Sequence, residues 1–259
     1  MPFVTAPDGV RLHYELREPP ALASAPPVLL LHGFAGSAVT NWARTGVVDP
    51  LLAAGRPVVL ADARGHGRSD KPREVSSYAG SVLVDDAMAV LEALPAEAVD
   101  VVGYSMGAFT AARMSHRRMR SVVLAGVGDG VLAARDADSQ QAVAAAMLAD
   151  DPAEVRDRLG RRLRRYAEWS GGDLRALAAA QRGASFAQPA TVVDAGLPTL
   201  VLAGERDDVV GRPAELARRI PGARLALVSG THMTAPAQPA FAAALVDFLE
   251  DVDAGRAAA

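Results

Sequence analysis

The sequence predicts an α/β fold: a mostly parallel, doubly wound sheet of about eight strands, with a helical insertion late in the chain. Short β-rich runs alternate with longer helical patterns, which is what a parallel sheet covered by helices requires. Several of the runs, Val28–Leu31 first among them, are apolar without interruption, as strands buried on both faces must be. The 259 residues are half hydrophobic and 22% charged, enough to bury a sizeable core and too apolar for wholesale disorder.

Val10–Arg17 alternates like a half-buried strand, and Asp8-Gly9 before it is a hairpin turn signal. After Val28–Leu31, the runs Pro57–Ala61, Val99–Val102, Ser121–Ala125, Thr199–Ala203 and Arg224–Val228 repeat the buried-strand style. Asn41–Ala54, Tyr78–Leu94, Met106–His116 and Pro213–Ile220 have helical patterns between them. Ala237–Val252 reads as a final amphipathic helix, with Asp253–Ala259 as a frayed tail. The alternation lapses from Val127 to Gly196, where Val143, Met147, Val155, Leu159, Leu163 and Tyr166 fall at helical spacings. Pro152, Gly171-Gly172 and Pro189 punctuate that stretch, which lacks a buried strand. Residues 1–126 and 197–259 are therefore expected to form the core, and 127–196 a helical cap. The six arginines of Arg156–Arg165 could be a patch for an anionic substrate. The plainer and preferred reading is a solvated helix face balanced by Asp150, Asp151, Glu154 and Asp157.

Composition narrows the function classes. With 27 basic and 30 acidic residues the formal net charge is −3, and no nucleic-acid footprint shows. Lys71 is the one lysine among the basic residues, an imbalance that reads as coding bias. Absence of cysteine excludes disulfides, thiolate metal sites and a cysteine nucleophile. Met1–Arg17 contains Asp8, Arg11, His13 and Glu15 and does not read as a secretory signal. There is no apolar run of about 18 residues to span a bilayer. The expectation is a soluble, cytoplasmic protein without a membrane or nucleic-acid partner.

The chemistry begins at Gly103-Tyr104-Ser105-Met106-Gly107, where a buried strand meets a helix. G-x-S-x-G in that setting is a nucleophile elbow, with glycines relieving the clashes of a tight, strained turn. A serine hydroxyl needs a base, and the chain offers five histidines. His13 is expected at the surface of an N-terminal strand and His116 at the end of the helix after Ser105. His66 lies in a glycine-rich loop, and His32 opens His32-Gly33-Phe34 in a structural part. His232 follows a strand at the sheet edge where open α/β sheets keep their sites, and it is the chosen base. The imidazole needs a carboxylate. Asp207 in the loop after Thr199–Ala203 is preferred, Asp208 is its close competitor, and Asp129 is a third possibility. The backbone amides of Phe34 and Met106 are the expected oxyanion donors, each such donor being worth about 2.7–4 kcal/mol.

With these parts assembled, the chain resembles the α/β-hydrolase superfamily, in its capped single-domain esterase and non-haem-haloperoxidase-like branch. The likeness rests on His32–Gly36, Asp62–Pro72, Gly103–Gly107, Gly204–Asp207 and Gly230–His232, in the family's order. It implies a triad of Ser105, Asp207 and His232, a Phe34/Met106 oxyanion hole, and no cofactor or metal. Two departures stand out: Thr231 precedes His232 where the family often has glycine, and Ala235–Gln238 lacks the family's frequent acid. Serine at 105 argues against the relatives with an aspartate nucleophile, haloalkane dehalogenases and epoxide hydrolases. The expected activity is hydrolysis of an ester, thioester, lactone or related acyl bond in a small to medium hydrophobic substrate. The same residues could instead serve C–C bond hydrolysis or peracid formation. A pocket that binds a small molecule without turnover is the alternative from another class.

Overall fold

A computed structural model describes residues 2–21, 25–184 and 186–256. Its strands are β1 (Phe3–Thr5), β2 (Arg11–Arg17), β3 (Val28–Leu31), β4 (Val58–Ala61), β5 (Val99–Tyr104), β6 (Met119–Ala125), β7 (Thr199–Gly204) and β8 (Arg224–Val228). They form one sheet in the order β1-β2-β4-β3-β5-β6-β7-β8. β1 and β2 pair antiparallel, β2 joins β4 antiparallel, and all remaining pairs are parallel. The hairpin at Asp8-Gly9 closes through Ala6 N–H to the Val10 carbonyl at 2.8 Å, with Gly9 at φ 86°. β1 has no counterpart among the expected strands; its three residues are too few to show a period.

The helices are α1 (Val48–Ala53), α2 (Val82–Ala93), α3 (Met106–Ala111), α4 (Ala137–Leu148), α5 (Arg158–Ser170), α6 (Leu174–Gly183), α7 (Pro213–Arg219) and α8 (Pro239–Asp253). On one sheet face Val48 and Leu51 of α1 pack with Phe241, Leu245 and Phe248 of α8 around Trp42. On the other, Val90 and Leu91 of α2, Ala108 and Ala111 of α3 and Leu216 of α7 cover the strands. α4, α5 and α6 lie between β6 and β7 in the chain. Their Val143, Met147, Ala167 and Leu177 share a cluster with Phe34 and Met106, so the insertion sits over the carboxyl ends of β3 and β5.

Three expected helices are shorter than their patterns. Asn41–Ala54 divides into a wide turn at Val39–Ala43 and α1, because Thr45 Oγ bonds back to the Asn41 carbonyl at 2.8 Å and Gly46 takes φ 81°. Gly80, at φ 69°, separates Tyr78 from α2. α3 ends at Ala111, where Arg113 and Met114 make three-residue turn bonds instead of continuing the helix. The tail is tied further than expected: Asp253 ends α8 and pairs with Arg56 and Arg120, and Arg256 pairs with Asp251. Residues 257–259 of that expected tail lie outside the described residues.

Charges behave differently from a solvated face in two places. Arg164 in α5 is buried and donates to the carbonyls of Ala146, Met147 and Ala149, satisfying the carboxyl end of α4. Asp157 and Asp151 cap helical turns rather than balancing the arginines. His13 is buried, not at the surface: the loop after β4 folds over it and brings Asp62 Oδ2 to 3.3 Å from its Nδ1. His116 lies in the loop after α3, its Nδ1 accepting from the Arg118 amide at 3.2 Å.

Arg64, 1% exposed at its side chain, grips Asp86 through two bonds of 2.6 and 2.7 Å and also reaches Asp8 and the Ser77 carbonyl. Removing one member of such a pair leaves a buried charge uncompensated. Arg64→Met is expected to destabilise the fold by about 3–5 kcal/mol, read from urea unfolding midpoints. The nearby His66 is buried and its pKa is pushed down to about 3, first by desolvation and then by His32. The unfolded chain therefore binds a proton that the folded chain refuses, and stability falls as pH drops from 6.5 towards about 3. A His66→Gln variant should show a shallower loss over that window, by at most about 1.4 kcal/mol per pH unit.

Candidate active site

β3 and β5 are neighbours in the sheet but not in the chain, so the loops at their carboxyl ends diverge and open a crevice. The turn after β5 puts Ser105 at φ 51°, ψ −111°, a strained backbone held by its amide bonding to the Ala125 carbonyl at 2.8 Å. Only glycine fits on either side. A Cβ at Gly107 would stand 2.1 Å from the Leu31 carbonyl oxygen, and one at Gly103 would stand 2.3 Å from the Gly107 carbonyl oxygen. The close approach brings the start of α3 against the end of β3. There the Gly33 amide is pinned by Asn41 Oδ1 at 2.9 Å.

His232 lies in the turn after β8, where the Thr234 and Ala235 amides bond to the Thr231 carbonyl. Its Nε2 is 3.1 Å from Ser105 Oγ and its Nδ1 is 2.9 Å from Asp207 Oδ2. An ionised carboxylate only accepts, so Nδ1–H donates to Asp207 and leaves Nε2 bare to accept from the serine hydroxyl. The Asp207 side chain is 1% exposed, and its other oxygen accepts from the Val209 amide at 3.1 Å. Asp208 points elsewhere and pairs with Arg162 of α5, whose hydrogen bond holds its carboxyl below the usual range. Asp129 is likewise held low by its bonds to Arg212. Of the three acids considered from sequence, Asp207 is the one brought to the imidazole. His32 stands apart from this relay and braces the loop after β3. Its Nδ1–H donates to the Gly33 carbonyl, and its Nε2 accepts from the Ala63 amide at 3.0 Å.

Tyr104 has a part that the sequence reading did not give it. Its ring lies 5.3 Å from the imidazole, and its hydroxyl donates to the His232 carbonyl. Burial pushes the phenol well above its ordinary pKa, so it stays a donor. The signal was its place inside the G-x-S-x-G element, but a partner 128 residues away is not legible there. Asn41 gave no signal beyond being polar next to an apolar run.

Among the described residues, neither the Phe34 nor the Met106 amide donates to a protein acceptor. That is the normal state of a first-turn N–H such as Met106 and leaves both free for a ligand. They border a cavity of about 700 Å³ that Ser105 and His232 also line, with Leu159, Leu163 and Tyr166 of α5 opposite. α5 is fastened over it by Ser170 Oγ donating to the Ala35 carbonyl at 2.6 Å and by Tyr166 at 3.3 Å from Thr40 Oγ. No helix among the described residues is long and apolar enough to cross a membrane.

A 2-hydroxymuconate semialdehyde hydrolase from a Pseudomonas species is 40% identical over 103 residues, 39% of this chain and 36% of that protein. Epoxide hydrolase B of Mycobacterium tuberculosis is 40% identical over 100 residues, 39% of this chain and 27% of its own length. The matched segments thus span between about a quarter and a little over a third of these relatives' own lengths. A hydrolase of known structure from Pseudomonas aeruginosa superposes with a TM-score of 0.76 at 25% identity, over 96% of this chain and 97% of that one. The model of the alpha/beta hydrolase fold family matches residues 26–235, from before β3 to beyond His232, and the chain belongs to that family.

Proposed function

We propose that the protein is a serine hydrolase that cleaves an ester, thioester or lactone bond through an acyl-enzyme on Ser105. The observation that carries this reading is the unbroken Asp207–His232–Ser105 relay, at 2.9 and 3.1 Å, opening onto a cavity with two free amides. Ser105 Oγ attacks the carbonyl carbon while its proton passes to His232 Nε2. The oxyanion takes the Phe34 and Met106 amides, which are already oriented and need no rearrangement as charge develops. Collapse of the intermediate expels the leaving group with the proton from His232. Water then attacks the acyl-enzyme, His232 again accepting a proton, and the carboxylic acid departs with Ser105 restored. Asp207 remains ionised, keeps the ring in its tautomer and stabilises the imidazolium.

The likeness to a 2-hydroxymuconate semialdehyde hydrolase favours one second reading, C–C bond hydrolysis with the same residues. Simple aryl esters tested beside β-diketones separate the two by which class is turned over.

A fluorophosphonate should label the folded wild-type protein once, at Ser105, by peptide mass spectrometry, and should leave Ser105→Ala unlabelled. An unlabelled wild type would defeat the mechanism, and labelling without turnover of any acyl substrate would favour a binding role. Asp207→Asn should lower kcat about 10⁴-fold, because amide donors reverse the imidazole tautomer. Tyr104→Phe removes the bond that anchors the His232 backbone. With such a bond worth about 0.5–1.5 kcal/mol, kcat is expected to fall up to about tenfold. Steady-state kinetics should place that loss in kcat rather than in KM.

A further inference from the structure

Among the described residues, four charged side chains other than His232 line the cavity: Arg44, Asp129, Arg135 and Asp136. Both acids are committed. Asp129 pairs with Arg212 at 2.7 Å, and Asp136 caps α4 by accepting the Ser139 amide at 2.7 Å. Arg44 is exposed and lies over the Trp169 ring at 5.4 Å. Arg135 differs from all three. It is half-buried, and among the described residues its guanidinium makes no hydrogen bond or ion pair; it lies instead over the face of Phe109, at 5.9 Å.

The surroundings hold that guanidinium in place without neutralising it. Arg113, on the same ring at 5.8 Å, donates to the carbonyls of Val131 and Ala133 and so fixes the segment from which Arg135 projects. Among the described residues Arg113 has no carboxylate partner either, so two cations flank Phe109 with no acid between them. Desolvation alone pushes each of them down to about 10, so both stay charged at neutral pH and both gain from a nearby anion. Only Arg135 opens onto the cavity.

We infer that Arg135 is the receptor for a carboxylate at the far end of the acyl substrate, which makes the substrate class a hydrolysable monoacyl derivative of a dicarboxylic acid. The inference rests on the acyl-hydrolase reading for the reacting end alone. Phe109 stands four residues after Ser105, a rise of about 6 Å, and the guanidinium lies 5.9 Å from its ring, so the span to the reacting hydroxyl is on the order of 10 Å. A six-carbon diacid reaches from one to the other. The planar guanidinium fork suits bidentate capture of a carboxylate, and the apolar walls from Leu159 and Leu163 suit the methylenes between. An arginine held only as a lid on Phe109 would show no preference for an anionic chain end.

The test compares mono(4-nitrophenyl) adipate with its neutral methyl ester on the purified full chain, as wild type, Arg135→Gln and Arg135→Lys. Calorimetric binding of free adipate is measured in parallel. The wild type should favour the acid over the methyl ester at least tenfold in kcat/KM. Arg135→Gln should abolish that ratio and weaken adipate binding at least tenfold, and Arg135→Lys should keep part of both. Equal wild-type rates on the two esters, or a ratio and adipate affinity that survive Arg135→Gln, would overturn the assignment. If neither ester is cleaved but adipate binding still depends on Arg135, the anion site stands and the hydrolase reading falls. Should Arg135→Gln fail to fold, the wild-type ratio of acid to methyl ester decides.

Discussion

The contact on which the site depends is between two stretches of backbone: α3 lies so close to β3 that nothing larger than hydrogen fits at Gly107 beside the Leu31 carbonyl. That approach fixes three things at once. It forces the turn at Ser105 into its positive-φ conformation and lifts the side chain off the sheet. It sets the first amide of α3 beside the loop that follows β3, so that the Phe34 and Met106 N–H groups share one side of the crevice. And it aims the positive end of α3 at the same point. A methyl group at Gly107 would act on all of these together, because they are consequences of one distance.

A strained turn persists only where its surroundings over-determine it, and here they do. The Ser105 amide is held by β6, its carbonyl accepts from Ala108 and Phe109, and the neighbouring Tyr104 reaches the His232 carbonyl. The imidazole is thus located from two sides, by Asp207 at Nδ1 and by Tyr104 through its own backbone. The Asp207 and His232 side chains are almost fully buried, and there hydrogen bonds between preoriented groups are strengthened and an unpaired group would be costly. The insertion contributes to the same end. Ser170 and Tyr166 tie α5 to the segment that follows β3 and carries Phe34, so that helix and that loop are one assembly.

The centre of the sheet was legible because β3, β4, β5, β6 and β7 are buried on both faces, and continuous apolar runs admit few other readings. Arg224–Val228, read in the same style, is instead an edge strand that leaves Leu225 and Leu227 exposed. The strained turn at Ser105 was legible for the same kind of reason: Gly103 and Gly107 answer a steric demand that is local in sequence. What escaped was set by distant partners. Gly80 and Gly46 interrupt patterns whose apolar periodicity runs on past them, so the helices read longer than they are. His13 looked like a surface residue because nothing near it in the chain announces that the Asp62–Ser69 loop closes over it. Among Asp207, Asp208 and Asp129 the pattern gave a preference only. The choice depends on which carboxylate an arginine elsewhere has already claimed, Arg162 holding Asp208 and Arg212 holding Asp129.

That last point bears on the whole chain, whose cations are almost all arginine. That abundance has to be accommodated, and in the interior the accommodation is specific. Arg56 meets Asp253, Arg64 meets Asp86 and Asp8, Arg164 closes the carboxyl end of α4, and Arg113 binds four carbonyls. A guanidinium removed from water without acceptors is unfavourable, so these partners are a condition of burial and say little about function. Against that background Arg135, which is half-buried, makes no hydrogen bond or ion pair among the described residues, lies over an aromatic face and lines the Ser105 cavity, does not fit the structural pattern. On the proposal made above, its acceptor is a substrate carboxylate, and the cavity is where that group would enter.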